Sequence, residues 1–477
     1  MATSPASHGT SGDDPLKVVI RQDYCIGCGA CAAVSGSPYR MMMMPDGRYL
    51  PQAQEGLGKV GWMPVRPHQV CPFHEGPNED VLGQALYAPL SSCHHPDVGY
   101  YDGLYAATVV HPHARMRSSS GGMATWLLRT LKAQGLIDGV IHVGRGPGGA
   151  EPLFQYQLST TGRQIREAAG SRYYPVEFSG VLNEVRKRPA RYAFVGVPCY
   201  IKALRLLARE DDSLRRSIAY TVGLFCGHMK TAAYAEYLAW QLGVQPGELA
   251  GIDFRCKSLK QPANRYGLRV WDIWGWERTA PMAELFGSDW GWGLFKPKAC
   301  DYCDDVAAEL ADVTCGDAWL PEYVHDGRGT NIVVVRHPEL HQLMKAGEAR
   351  GAITLKALQP EHVRRSQAAN YRHRHQGLAF RLWLVQRAGD WHPPKRITPP
   401  CVTGVGLWFP RGRLYRQRLT LSRMSHRVYG RARSLSDAGH VRRQLAPEIA
   451  LYERLRRPIW RRILGAWLRR LRNLRAR

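Results

Sequence analysis

The sequence predicts an α/β protein with three parts: a cysteine-rich N-terminal segment, a mixed α/β body and a basic helical C-terminal tail. Between residues 104 and 340, strand-like apolar runs alternate with amphipathic helical stretches, which is typical of a sheet that is at least partly parallel. Five of the 12 cysteines lie between residues 25 and 93, and most of the positive charge lies after residue 410, so both ends differ from the body. The 477 residues suffice for more than one domain and a sizeable core.

The first 16 residues are small, polar and rich in Pro and Gly, and we expect them to be disordered. They hold no apolar stretch of the kind that a secretory signal needs. No uninterrupted apolar run in the sequence is long enough to cross a bilayer. We therefore expect a cytoplasmic protein, whose 12 cysteines act as metal ligands, catalytic groups or core residues rather than as disulfides.

The segment that follows opens with three cysteines at the spacing C-x2-C-x2-C, namely Cys25, Cys28 and Cys31. This spacing begins the cluster motif of a bacterial-type ferredoxin, in which a fourth cysteine, followed by proline, comes three residues later. Ser35 stands in that place, so the local motif lacks its fourth thiolate.

Cys71, which Pro72 follows directly, can complete the site from a distance, as in ferredoxins whose motif is completed from elsewhere in the chain. The alternative is a zinc knuckle built from the same four sulfurs, because zinc also takes four thiolates in a tetrahedron. Two-residue gaps with Gly27 and Gly29 between the cysteines favour close wrapping around an iron–sulfur cluster.

In the body, two predicted strands each end at a cysteine, Cys199 after residues 191–198 and Cys226 within 219–226. Cys300 and Cys303 form a C-x2-C pair further along the chain. The spacing alone leaves two interpretations open, a four-thiolate metal site or two buried strand-end thiols with an unrelated pair.

The sequence resembles the beta subunits of the hydrogenases and dehydrogenases that act on the deazaflavin coenzyme F-420. It is also similar to the plant enzyme 7-hydroxymethyl chlorophyll a reductase. The resemblance covers roughly residues 20–340 and rests on segments that follow the family's order: CIGCGAC, SSSGGMATWLLRTLKAQGLIDGVIHV, GSRYYPV, FVGVPCYIKALRLL, VGLFCGH, FRCK and CDYCDDVAAELADVTCGDAW.

The resemblance implies an iron–sulfur flavoprotein with FAD and two 4Fe-4S clusters. Many family members carry further N-terminal cysteines, and Ser35 fills one of those places, so no additional N-terminal cluster is expected. One cluster would be held by Cys25, Cys28, Cys31 and Cys71, and the other by Cys199, Cys226, Cys300 and Cys303.

The resemblance assigns a role to two further elements and implies that the flavin binds near both of them. Their residues are Ser120, Gly121 and Gly122 in the first, and Ser171 and Tyr173 in the second. The first three precede a helix, whose free N–H groups and positive dipole end suit an anion or a flavin edge. An ordinary helix N-cap is the alternative. The last two belong to an element similar to the family's Gly-Ser-Lys-Tyr, with Arg172 in place of the lysine.

These signals divide the chain into five parts: a disordered N-terminus (1–16), a ferredoxin-like iron–sulfur segment (17–98), a flavin-binding N-terminal part of the body (99–190), a C-terminal part with the second cluster (191–345) and the basic helical tail (346–477). We expect this chain to be a FAD-dependent oxidoreductase that passes electrons between its clusters and FAD. It would reduce or oxidise a deazaflavin-like or other organic substrate.

Ferredoxin or a partner redox subunit would supply the electrons. The alternatives are a non-catalytic electron-transfer subunit of a larger complex and a membrane-surface adaptor with structural metal sites.

Most of the net charge of +25 lies in the tail, since residues 411–477 contain 20 Arg, no Lys and three acids. After Pro458, apolar residues recur at spacings of three and four and form one face: Trp460, Ile463, Leu464, Trp467, Leu471 and Leu474. This face fits a helix that packs on the body, and it also fits one that lies in the interface of an anionic membrane. Binding of RNA is the least favoured use, because arginine-rich segments bind phosphate without such a face.

Overall fold

The computed structural model describes residues 14–54, 65–91, 93–147, 152–399 and 411–457. The described part of the N-terminal segment has little regular secondary structure and consists mainly of loops around one hairpin. Its elements are α1 (Leu16–Arg21), α2 (Ala30–Ala33), β1 (Tyr39–Met43), β2 (Tyr49–Ala53), α3 (Glu79–Tyr87), β3 (His94–His95) and β4 (Gly99–Tyr100).

The turn between β1 and β2 attaches the N-terminal segment to the body. Gly47 has a left-handed φ of 74°, and a Cβ there would lie only 2.9 Å from the Cβ of Ala232. The Gly47 carbonyl accepts a hydrogen bond of 2.9 Å from the Ala232 N–H. Only glycine combines this backbone conformation with so close an approach.

The body alternates strands with helices, as predicted. Its strands are β5 (Gly103–Val109), β6 (Gly139–Arg145), β7 (Phe154–Ser159), β8 (Tyr192–Gly196), β9 (Ile218–Leu224), β10 (Leu249–Cys256), β11 (Gly267–Asp272), β12 (Glu277–Pro281), β13 (Val313–Asp317), β14 (Asn331–Val335) and β15 (Ile353–Ala357). Its helices are α4 (Pro112–Arg117), α5 (Met123–Ala133), α6 (Gly162–Glu167), α7 (Ser179–Arg186), α8 (Pro198–Glu210), α9 (Asp212–Ser217), α10 (Ala232–Trp240), α11 (Pro321–Val324) and α12 (Pro338–Ala349).

Eight of these strands form one mixed sheet in the order β15-β5-β14-β13-β9-β8-β6-β7. The neighbours β13, β9, β8 and β6 run parallel, while the remaining pairs are antiparallel. This confirms the predicted α/β body with a partly parallel sheet. Strands β10, β11 and β12 form a separate antiparallel sheet.

Helices cover both faces of the large sheet, so the core has two layers. All five residues of β14 are buried, as expected for a strand enclosed on both faces. Helices α5 and α12 pack on one face, and α7 and α8 pack on the other. Pro198 starts α8, where its missing N–H costs no hydrogen bond.

The tail is helical, as predicted, with one exception. Residues Ile353–Ala357 form the edge strand β15 rather than a helix, because Ile353 is buried while Thr354 and Lys356 point outward in strand alternation. The helices that follow are α13 (Pro360–Ser366), α14 (Ala368–Arg374), α15 (Gln376–Ala388), α16 (Gly412–Ser434) and α17 (Gly439–Arg456).

Helices α16 and α17 pack on the body rather than extending from it. Leu421 and Tyr429 of α16 and Leu445 of α17 are buried in the same apolar cluster as α8 and α10. The predicted apolar face at residues 460–474 lies outside the described residues, as do the first 13 residues. Among the described helices, none is both long enough and apolar enough to span a membrane.

One buried histidine in the sheet predicts a pH dependence of stability. His142 in β6 lies 2.8 Å from the Ser159 hydroxyl, and burial, with a smaller effect of Arg172, lowers the pKa of His142 to about 4. Unfolded histidine has a pKa of about 6.5, so the unfolded chain binds more protons between these values. We expect this residue to lower the free energy of unfolding as the pH falls from 6.5 to 4, by up to about 1.4 kcal/mol per pH unit.

Denaturant unfolding at several pH values checks this, with His142→Gln against the exposed His113→Gln. The His142 variant should lose part of the acid sensitivity, whereas the His113 variant should keep it. Identical pH profiles for the wild type and the His142 variant would contradict the prediction.

Candidate functional site

The candidate site lies at the edge of the sheet where the parallel strands β8, β9 and β13 end. Cys199 comes three residues after β8 and Cys226 two residues after β9. The antiparallel strand β14 begins at the same edge, because Asn331 pairs with Asp317 at the end of β13. Open α/β sheets place their ligands outside the carboxyl ends of the strands, at such an edge.

Four thiols converge there from three parts of the body, and we call them the second thiol set: Cys199, Cys226, Cys300 and Cys303. Cys300 lies on a short 3-10 helix, Lys298–Tyr302, and Cys303 follows it. Burial raises the pKa of all four thiols, to about 12 for Cys226 and about 11 for Cys300, and neighbouring thiols add to the effect for Cys199, Cys226 and Cys300. The site thus holds four sulfurs within electrostatic range of one another, from three buried cysteines and the half-buried Cys199.

The first thiol set is built in the same way from the N-terminal segment: Cys25, Cys28, Cys31 and Cys71. Gly27 and Gly29 have φ values of 74° and 89°, which let the loop curl between its cysteines. Cys71 follows a short 3-10 helix, Pro67–Val70. Burial raises the pKa of these thiols, to about 12 for Cys25 and about 11 for Cys71.

The two thiol sets are neighbours. The thiols of Cys28 and Cys199 influence each other electrostatically, and both influence the buried Tyr156 and Tyr200. The rings of these tyrosines lie 6.1 Å apart. The Cys28 carbonyl also accepts a 3.0 Å hydrogen bond from Phe178, which fixes the N-terminal segment against the body.

Within the described ranges, no three His, Cys, Asp or Glu side chains are grouped so that they could hold a single metal ion. A 4Fe-4S cluster makes a different demand, because each thiolate binds a different iron of the cluster. The assignment of metal to the two thiol sets stays a prediction.

Arg374 of α14 provides a test of fit for a negatively charged group at the second thiol set. It is 3% exposed, and its Nη2 donates to the Cys226 and Gly227 carbonyls at 3.0 Å. Its Nη1 has no hydrogen-bond partner in the described part of the chain. A buried cation with a free donor beside four thiols fits an anionic iron–sulfur group.

The two elements that were assigned to the flavin lie together at the same edge. The Ser171 hydroxyl donates to the Ser119 hydroxyl at 2.9 Å, and the Ser120 hydroxyl donates to the Thr330 carbonyl at 2.8 Å. The Met123 N–H, at the start of α5, is bound by the Asn331 side chain at 3.1 Å. One of the helix-start donors is therefore already satisfied within the protein.

Gly121 and Gly122 have structural reasons to be glycine, whatever they bind. A Cβ on Gly121 would lie 2.6 Å from the Ala107 carbonyl oxygen, and Gly122 has a φ of 90°. Tyr173 lies against Trp290, with ring centroids 4.8 Å apart, and against Phe254 at 5.2 Å. Arg172 turns instead towards Phe154, 5.0 Å from its ring.

Two basic residues that the sequence did not single out connect Tyr173 with the second thiol set. His228 lies 4.5 Å from Trp290, and its Nε2 has no hydrogen-bond partner among the described residues. The Lys230 ammonium lies 4.9 Å from the same indole ring, and the adjacent Met229 N–H donates to Cys300 Sγ at 3.3 Å. Burial, and then nearby cations, lower the pKa of both residues. Their position two and four residues after Cys226 was the signal that the sequence offered.

Lys257 of the FRCK segment binds the loop of Ser120 at the same edge of the sheet. Its ammonium donates to the carbonyls of Arg115, Ser120 and Arg328 at 2.6–2.7 Å. Burial, and then Arg255, lower the pKa of Lys257 to about 7. The lysine therefore binds the Ser120 loop through its backbone.

A cavity of about 510 Å³ lies between the N-terminal hairpin, the body and α16. Gly47, Tyr174, Glu236 and Gly430 are in its wall. The Tyr429 hydroxyl donates to Glu236 at 2.7 Å. Tyr174, which lines the cavity, directly follows Tyr173 in the sequence. Its volume is within the range of small-molecule sites.

Comparison with known proteins matches most of the body to one family, described as "Coenzyme F420 hydrogenase/dehydrogenase, beta subunit". The model of its N-terminal part matches residues 104–183, and the model of its C terminus matches residues 190–361. The resemblance predicted from the sequence is confirmed for this family, while the similarity to 7-hydroxymethyl chlorophyll a reductase stays a prediction.

Individual relatives are distant. The beta chain of the coenzyme F420 hydrogenase of Methanothermobacter thermautotrophicus is 22% identical over 273 residues, which are 55% of this chain and 86% of the relative. A component of the F(420)H(2) dehydrogenase of Methanosarcina mazei is 28% identical over 323 residues, 67% of this chain and 80% of the relative. A chain of the F420-reducing [NiFe] hydrogenase complex from Methanosarcina barkeri covers 61% of this chain and 95% of its own length, with a TM-score of 0.46 and 20% identity. On the strength of the two family models, the chain belongs to the family of coenzyme F420 hydrogenase/dehydrogenase beta subunits, which are components of oxidoreductases.

Proposed function

We propose that the chain is a FAD-dependent iron–sulfur oxidoreductase, with one 4Fe-4S cluster at each thiol set and FAD between Ser120 and Tyr173. Its substrate is a deazaflavin-like or other organic molecule, and its electrons come from ferredoxin or from a partner redox subunit. Bound FAD would link the one-electron chemistry of clusters to the two-electron chemistry of an organic substrate.

The observation that carries this proposal is the continuous order of the three sites. The first thiol set adjoins the second through Cys28 and Cys199. The second set adjoins Lys230 through the Met229–Cys300 hydrogen bond, and Lys230 lies against Trp290, which packs on Tyr173. This spatial order of the two thiol sets and the flavin elements supports the passage of electrons between them.

The residues of the chain have distinct roles in this arrangement. Ser119, Ser120 and Ser171 fix the two flavin elements to each other, and Lys257 holds the Ser120 backbone. Trp290 packs edge-on against the ring of Tyr173. Beside it, His228 offers a free ring nitrogen to a bound ring system.

Anaerobic purification with iron, sulfide and flavin measured on one sample tests the proposal. We expect about eight irons, about eight sulfides and one FAD per chain. Cys71→Ala should lower the iron by about four per chain, because one thiolate of the first set is lost. Cys93→Ala, which changes an exposed thiol outside both sets, should leave it unchanged. A protein without flavin, or equal iron in both variants, would refute the assignment.

We propose the 510 Å³ cavity as the substrate site, which α16 helps to form. Gly430 lines the cavity, and a Cβ there would meet no atom within 4 Å, so Gly430→Leu adds a side chain at the cavity wall without a backbone clash. With coenzyme F420 as the probe substrate, we expect KM to rise about 10-fold or more, as contacts worth about 1–3 kcal/mol are lost.

Gly180→Leu is the matched control, since Gly180 is an exposed helical glycine with equally open space. Iron and flavin content should be unchanged in both variants. An unaltered KM in Gly430→Leu would place the substrate elsewhere.

The cytoplasmic location, the electron donor and the contact of the C-terminal segment with anionic membranes stay predictions. Vesicle binding by the full chain, compared with a chain ending at Leu451, decides the last of these.

A further inference from the structure

We propose that Arg374 is the fixed counter-charge of the second thiol set and raises the reduction potential of the cluster held there. This inference rests on the proposed function. It concerns a residue beyond the part of the chain that the family models match, which ends at residue 361.

The position of Arg374 is set by its backbone contacts. Arg374 is the last residue of α14, and its guanidinium donates to the carbonyls of Cys226 and Gly227 at 3.0–3.2 Å. Its Nη2 also lies 3.8 Å from Cys226 Sγ. The hydrogen bonds to the two carbonyls fix the orientation of the Arg374 side chain. The contact with Cys226 Sγ places the guanidinium charge next to the second thiol set.

Among the described residues, the groups that act most strongly on the charge of Arg374 are thiols. Burial by itself would lower its pKa, but Cys303, Cys226, Cys300 and Cys199 together raise it. Among the described residues, Arg374 takes part in no ion pair with a carboxylate, whereas the neighbouring buried Arg381 lies 3.7 Å from Asp301. An isolated buried charge is costly, so the arrangement is stable when the thiolates and their cluster are negative.

A positive charge next to a cluster favours the form with one more electron. The reduction potential of a cluster depends on the net charge around it and on hydrogen bonds to its sulfurs. The unpartnered Nη1 supplies a donor as well as a charge. Both effects stabilise the reduced cluster and raise its potential.

The first thiol set has cations nearby, but their charges are already neutralised. The cations that act most strongly on Cys25 and Cys71 are each paired with a carboxylate: Arg48 with Asp46, Lys202 with Glu79 and Lys395 with Asp304. Arg374 therefore makes the reduction potential of the second cluster higher than that of the first. An electron then resides on the second cluster, on the side of Trp290 and Tyr173.

A redox titration of the anaerobic holoprotein, followed by electron paramagnetic resonance, tests the proposal on both clusters at once. In Arg374→Gln, we expect the reduction equilibrium of the second cluster to shift at least about tenfold towards the oxidised form, which is about 59 mV for a one-electron couple. Arg374→Lys keeps the charge and should shift it much less. Arg372→Gln removes an exposed arginine from the same helix and should shift neither cluster.

Asn370→Asp gives a second, independent variant that removes no contact of Arg374. Asn370 lies one helical turn before Arg374 on α14, so a carboxylate there forms an i,i+4 pair with the guanidinium. The Asn370 amide oxygen lies close to Gly227, since a Cβ on this glycine would be only 2.7 Å away from it. Gly227 follows Cys226, so Asn370 is next to the second thiol set. We expect this variant, too, to lower the potential of the second cluster.

The outcomes separate this inference from the proposed function. Unchanged potentials in Arg374→Gln and Asn370→Asp, with full iron content, would overturn the role of Arg374 while leaving the clusters in place. If Arg374→Gln fails to retain its cluster, the Asn370→Asp potential decides alone. An equal shift in Arg374→Lys and Arg374→Gln would show that hydrogen-bond geometry acts instead of charge. A wild-type protein without clusters would refute the proposed function itself.

Discussion

Cys300→Ser is expected to remove about four irons per chain and to abolish electron transfer to bound flavin. Cys300 is buried, influences Cys226 and Cys199 electrostatically, and accepts the Met229 N–H that leads to Lys230. A serine hydroxyl is a poor ligand for iron at neutral pH. Losing this thiolate therefore opens the second site on the side of Met229 and Lys230.

The measurements are iron content, the low-temperature resonance signal of the reduced clusters, and the rate of flavin reduction in a stopped-flow experiment. Cys315→Ser is the matched control, because Cys315 is a buried thiol of β13 outside both thiol sets. Flavin that is reduced at the wild-type rate in Cys300→Ser would exclude Cys300 as a ligand.

Arg396→Met is expected to lower the free energy of unfolding by about 3–5 kcal/mol, as for the loss of one partner from a buried ion pair. Arg396 makes two bonds of 2.8 Å to the two oxygens of Glu309 and another to Asp80. Its backbone N–H donates to Asp304, next to Cys303. Methionine of similar length leaves the buried Glu309 carboxylate without its cation.

Denaturant unfolding under anaerobic conditions measures this effect. Arg364→Met is the control, because Arg364 pairs with Glu361 on the surface, where such pairs contribute about 0–1 kcal/mol. Equal unfolding midpoints for the two variants would show that Arg396 does not hold the loop of Cys303 in place.

Much of the body could be predicted from the sequence because its signals are local. The runs at 192–196 and 218–224 are apolar, bounded by helices, and form parallel strands as expected. The edge strand β15 was missed, since a five-residue strand with one buried side chain carries little pattern. Its partner β5 is distant in the sequence, so only the folded sheet reveals the pairing.

The surroundings of the thiol sets could not be predicted, because they depend on contacts between distant parts of the chain. Arg374 reaches Cys226 over a separation of 148 residues, and Arg396 reaches Asp80 over 316. An arginine in a basic tail looks like a solvated surface charge until the path of the chain is known. Only His228 and Lys230, which lie two and four residues after Cys226, could have been singled out from the sequence.

The arrangement of Arg374, Lys395 and Arg396 has a consequence for biogenesis. All eight cysteines of the two sets precede residue 304, while the segment that covers them, from α14 to Arg396, is synthesised afterwards. Domains fold progressively during synthesis, with N-terminal parts first. Arg374, Lys395 and Arg396 can therefore act on the two thiol sets only after residue 396 has been synthesised, and clusters bound as proposed could enter before these cations are in place.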